Sequence, residues 1–124
     1  MTIADAGRKY GLTVDTLRYY ERIGLIPAVN RSRGGIRDYL EEDCRWVEFI
    51  KCMRGAGLPV EALIEYVALF QQGDSTIMAR KELLCEQRRL LQEKLEEMQR
   101  TLEKLNYKIE RYEQIVVPCE KGLD

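Results

Sequence analysis

The chain has 124 residues, 45% of them hydrophobic and 33% charged, with a formal net charge of −1, which suits one small head plus a solvated helix. No run approaches the ~18 apolar residues of a membrane span and no signal-peptide pattern is present, so a cytoplasmic chain without membrane contact is expected. Histidine is absent and the four cysteines (Cys44, Cys52, Cys85, Cys119) form no CxxC, which excludes a zinc finger and a histidine-based enzyme site; reduced thiols, and no cofactor, are expected.

The average charge hides a gradient. Residues 1–40 carry seven Lys/Arg against four Asp/Glu, residues 41–73 three against six, and residues 74–124 ten against eleven. Basicity therefore sits on the first third, where a phosphate backbone could be met.

Thr2 and Asp5 predict a capped short helix through Tyr10, ended by Gly11. Thr13 is a natural N-cap for a second helix through about Ile23, closed by Gly24. Two short helices joined by a glycine-containing turn are the helix-turn-helix pattern. Leu17, Tyr20 and Ile23 can pack inward at helical spacing, leaving Val14, Thr16, Arg18 and Tyr19 outward. Arginine can fork onto a guanine edge or a phosphate, and Thr and Tyr hydroxyls suit phosphates. The same residues would also make an ordinary solvated helix, and loose matches to this motif are common.

Next comes a hairpin signal, Gly34-Gly35 between short extended runs, with Arg31, Arg33 and Arg37 near its tip. Directly after a presumed recognition helix, a small two-stranded basic ribbon reads as a DNA-touching wing. Its arginines could alternatively serve to keep an exposed edge soluble.

The run Thr16-Leu17-Arg18-Tyr19-Tyr20-Glu21-Arg22-Ile23-Gly24-Leu25-Ile26-Pro27 closely resembles the MerR family of bacterial transcriptional regulators. So does Gly35-Ile36-Arg37-Asp38-Tyr39 followed by Glu41-Glu42-Asp43, and the likeness covers residue 2 to about residue 70. It implies that Arg18, Tyr19, Arg37 and Tyr39 match positions used on DNA, and that Tyr20 serves packing as much as contact. Leu40 departs from the small polar N-cap common in the family. With Thr13, Val14, Thr16, Arg31 and Arg33, these residues form the candidate DNA-binding set.

A third helix is expected from Glu41 to about Ala56, with Val47, Phe49, Ile50 and Met53 on its apolar side, and a fourth begins near Pro59 with Leu63, Ile64, Val67 and Phe70. From about Ser75 to Val117 neither proline nor glycine intervenes. Leu91, Met98, Leu105 and Tyr112 recur every seven residues, interleaved by Leu95, Leu102, Ile109 and Val116. That is a heptad seam for a homodimer. The heptads do not fix its direction; the family resemblance implies an antiparallel pair. The expected class is mainly α: a winged helix-turn-helix DNA-binding head (1–73), a dimerisation coiled coil (74–117) and a short tail (118–124).

Few residues follow the coil, so any sensor is expected within head and coil. Cys85 and Cys119 superficially resemble the thiols of metal-responsive relatives, which leaves a metal sensor across the dimer as an alternative. A stray surface thiol is the plainer reading of each. Cys52 neighbours Lys51 and Arg54, which favour thiolate, while Glu48 and the helix C-terminus oppose it; a packed, inert thiol is the competing reading. The segment from Trp46 to Val67, with Leu69-Phe70-Gln71-Gln72-Gly73-Asp74-Ser75, is similar to the aldehyde- and thiol-stress-responsive MerR subgroup. The resemblance implies that Cys52 is the sensor for a small electrophile such as an aldehyde. It also implies a partner set of double-stranded palindromic promoter DNA and RNA polymerase, with activation by promoter distortion. A coiled-coil adaptor without DNA specificity is the remaining alternative, and the basic wing argues against it.

Overall fold

The computed structural model describes residues 1–112 and 114. Within it the chain divides into two compact units, Met1–Gln87 and Arg88–Asp124.

The first unit opens with α1 (Ile3–Tyr10) and α2 (Val14–Arg22). Thr2 Oγ1 accepts the Asp5 amide and the Asp5 carboxylate accepts the Thr2 amide, so two amides at the start of α1 are satisfied reciprocally. Gly11 ends α1 at φ 66°, the left-handed conformation that glycine adopts most readily. Thr13 Oγ1 accepts the Thr16 amide at 3.0 Å and starts α2. Leu17 and Tyr20 of α2 are buried, as the helical spacing predicts.

Helix α3 (Glu41–Gly55) lacks a side-chain cap from Leu40, but it is not left bare. Asp43, one turn in, accepts the Leu40 amide at 2.9 Å, which supplies half of a capping box. Helix α4 (Val60–Gln71) follows a turn in which the Leu58 amide donates to Met53 O. Ala6, Leu17, Leu25, Ile26, Val47, Ile50 and Leu63 are each at most 2% exposed and form one core from all four helices and the segment after α2. At the side, Trp46 and Phe49 of α3 meet Tyr66 and Phe70 of α4, with Trp46 and Phe70 ring centroids 5.0 Å apart.

A 3-10 turn, Asp74–Thr76, leads into α5 (Ile77–Arg111). The buried Thr76 hydroxyl lies 2.6 Å from Leu69 O and 2.8 Å from Gly73 O, and accepts from Arg80 Nε at 3.1 Å. Arg80 also stacks over the Phe70 ring. These bonds add a side-chain bridge to carbonyls that the Gln72 and Thr76 amides already engage, and so tie the end of α4 to the start of α5.

In the second unit, Leu91, Leu95, Met98, Leu102, Leu105, Ile109 and Tyr112 are all exposed in the single chain. No helix among the described residues is long and apolar enough to cross a membrane. Val116 and Cys119, two of the residues singled out in the sequence, lie outside the described residues.

Candidate DNA interface

Helix α2 presents two long side chains outward. Arg18 has a half-exposed side chain with only a loose 3.5 Å pairing to Asp15, and Tyr19 is 40% exposed with Arg22 over its ring. Val14 and Thr16 are half-buried at the same end of the helix, and Thr13 is exposed. Gly7 supports this geometry from α1: a Cβ there would stand 2.7 Å from the Leu12 carbonyl oxygen, so only glycine lets the turn approach the helix so closely.

The wing is smaller than the expected two-stranded ribbon. It is a turn closed by a single antiparallel bridge, Arg31 to Arg37, and no ladder forms. Ser32 N donates to Ile36 O at 2.8 Å and Gly35 N to Ser32 O at 2.9 Å. Asp38 N donates to Asn30 O at 2.7 Å as the other backbone bond of the bridge, while the amides on that arm turn elsewhere: Val29 N donates to Glu21 and Asn30 N to Asp43. The α2 and α3 carboxylates thus accept the amides of Val29 and Asn30.

The three wing arginines are not equivalent. Arg31 Nη1 donates to Gly35 O at 3.0 Å and so braces the tip. Arg37 Nε donates to Glu21 Oε1 at 2.6 Å, with side chains only 25% and 12% exposed. Arg33 is exposed and has no partner among the described residues. Burial pushes the Glu21 carboxyl up, but the Arg37 and Val29 hydrogen bonds and the Arg37 and Arg31 charges outweigh it, so its pKa lies below the ordinary value.

Tyr20 and Tyr39 are core residues, 7% and 2% exposed. The Tyr39 hydroxyl is buried without a hydrogen-bond partner. Burial, followed by the Glu21 charge, raises its pKa. In this conformation Tyr39 does not offer DNA its hydroxyl. Sequence reasoning gave Glu21 no role, although it joins recognition helix to wing; a carboxylate sixteen positions before an arginine carries no local signature.

Cys52 is exposed, and Cys44 is buried. The reading of Cys52 as a packed thiol does not describe its position. Its two cationic neighbours are engaged elsewhere: Lys51 Nζ donates to the Tyr10 carbonyl and Arg54 Nη1 to Leu58 O at 2.6 Å. Cys85 is half-buried. No group of three or more potential metal ligands is found among the described residues.

The model of the MerR helix-turn-helix regulatory family matches residues 1–69, and one described as MerR, DNA binding, matches residues 44–107. The chain is 60% identical over 91 residues to the transcriptional regulator AdhR of Bacillus subtilis, covering 73% of this chain and 65% of AdhR. A MerR family regulator from Listeria monocytogenes matches in structure with a TM-score of 0.91 and 46% identity, over 99% of this chain and 93% of that one. HiNmlR, a MerR family regulator lacking the sensor domain and solved bound to promoter DNA, matches with a TM-score of 0.83 and 29% identity, over 94% of this chain and 92% of that one. With its helix-turn-helix, its wing and these relatives, the chain belongs to the MerR family of DNA-binding transcriptional regulators.

Proposed function

We propose that this chain is a cytoplasmic, stress-responsive transcriptional regulator, not an enzyme, that acts as a homodimer on a palindromic promoter site. The observation that carries the reading is the outward pair Arg18 and Tyr19 on α2, within a head whose wing exposes Arg33. Thr13, Val14, Thr16, Arg18 and Tyr19 address the major groove and its phosphates, while Arg33 neutralises phosphate beside it. Arg31 and Arg37 shape the wing and contact phosphate through whatever donors remain outside their internal bonds. Tyr20 and Tyr39 act through packing.

Dimerisation supplies two heads for two half-sites, and the exposed α5 seam is the surface that provides it. Two heads gripping one promoter can offset a DNA deformation cost on the order of several kcal/mol, which lets RNA polymerase engage a distorted site. HiNmlR, which lacks a sensor domain and was solved bound to promoter DNA, supports the promoter-binding part of this reading.

For the signal, Cys52 is the proposed sensor of an aldehyde or related electrophile. Its exposure supports the reading, because an adduct needs access. Lys51, the preceding residue, reaches the carbonyl that ends α1, so the thiol stands one position from a strut to the helix-turn-helix. Footprinting of the upstream promoter with and without formaldehyde tests palindrome, distortion and signal together. A Cys52→Ser protein that still responds fully to formaldehyde in a promoter–reporter assay removes the sensor role.

A further inference from the structure

The wing tip holds a side chain of a different character from its arginines. Ile36 is 69% exposed, although the core beneath the wing is closed by Leu25, Ile26, Val29 and Tyr39 without it. A single exposed aliphatic residue is ordinary on a protein surface. The surroundings of this one are not ordinary. The Ser32 amide bonds its carbonyl, Arg31 braces the adjacent Gly35 carbonyl, and Gly34 and Gly35 have no atoms near the place of a Cβ. The branched side chain is thus held outward by a short hydrogen-bonded turn, between Arg33 and Arg37 in sequence, with no bulk on the preceding two residues to keep a flat surface away.

Cations carry a wing to phosphate, but a phosphate contact alone leaves the apolar deoxyribose faces of the groove wall without a partner. Proteins that enter the minor groove combine basic side chains with apolar ones, isoleucine among them, that lie in the groove against the nucleotides or insert between base steps. We infer that Ile36 is the wing's apolar contact, packing on the deoxyribose wall of the minor groove beside the half-site read by α2. This rests on the DNA-binding reading above. It adds to that reading a component of affinity that releases no counterion and is therefore insensitive to salt.

The test uses the full-length protein and a duplex that it selects from a random-sequence library. Affinity is measured at several salt concentrations for the wild type, Ile36→Gln and Arg33→Ala. Ile36→Gln is expected to weaken binding about tenfold, about 1.4 kcal/mol, by the same factor at every salt concentration. Arg33→Ala is expected to flatten the log–log salt slope by about 0.9 instead. Thermal melting checks that both variants fold. Unchanged affinity for Ile36→Gln, or a loss that grows or vanishes with salt, overturns the inference while leaving the regulator reading intact. If the wild type selects no duplex, the DNA-binding reading fails and this contact fails with it.

Discussion

Glu21 on α2 and Arg37 at the base of the wing form one joint: Arg37 Nε donates to Glu21 Oε1 at 2.6 Å while Glu21 Oε2 accepts the Val29 amide at 2.9 Å. One carboxylate thereby fixes both the side chain and the backbone of the wing relative to the helix before it. Glu21→Gln is expected to destabilise the head by about 2 kcal/mol at neutral pH, the scale of hydrogen bonds to a charged group. Because the folded Glu21 pKa lies below its ordinary 4.5, the native carboxylate's contribution is present above that value and fades as pH falls through the lower, folded one. Denaturation curves of wild type and variant across acidic pH should therefore converge; a constant gap would show that the charge contributes nothing.

Gly7 reverses the usual rule for glycine in a helix. Replacing a helical glycine by alanine normally helps by about 1 kcal/mol, but here the new Cβ meets the Leu12 carbonyl oxygen at 2.7 Å. Gly7→Ala should lower stability by about 1–3 kcal/mol. Gly34→Ala, in open space, should be neutral or stabilise by up to about 1 kcal/mol. Chemical denaturation of both proteins decides between them.

Tyr39→Phe removes a buried hydroxyl that has no partner. Stability should stay constant or rise by about 1 kcal/mol, with DNA affinity unchanged. A loss of affinity without a loss of stability would return Tyr39 to the contact set.

On α5, Leu95 and Leu102 are 64% and 49% exposed in one chain. Leu95→Asp with Leu102→Asp should yield a folded monomer in sedimentation equilibrium at concentrations where the wild type is a dimer. Retained helicity by circular dichroism separates this outcome from unfolding. A persistent dimer would place the association surface elsewhere.

Much of the head was legible because its signals are local. Thr2, Thr13, Gly11 and the spacing of Leu17 and Tyr20 each act within one or two turns, and the helices begin and end within a residue or two of where they point. The start of α5 was read a little early, because Asp74–Thr76 form a tighter turn whose purpose is the Thr76 hydroxyl bridge. The wing was overestimated as a ribbon: Gly34-Gly35 between short extended runs resembles a hairpin of paired strands, while pairing is confined to the Arg31–Arg37 bridge and the Val29 and Asn30 amides go to carboxylates from distant helices. The burial of Tyr39 and the exposure of Cys52 were illegible for the same reason, since each depends on which element packs beside it.

Two of the three wing arginines satisfy acceptors of their own chain. Only Arg37 has its charge balanced, by Glu21, while Arg31 keeps its charge and commits one donor to a backbone carbonyl, so the wing has less free charge for arbitrary duplex than its count of cations implies. A chromosome offers about 10⁶–10⁹ competing sites, on which a strongly cationic wing would spend most of its time. A wing with less free charge is expected to lose less of the regulator to those sites, leaving discrimination to the contacts that α2 makes.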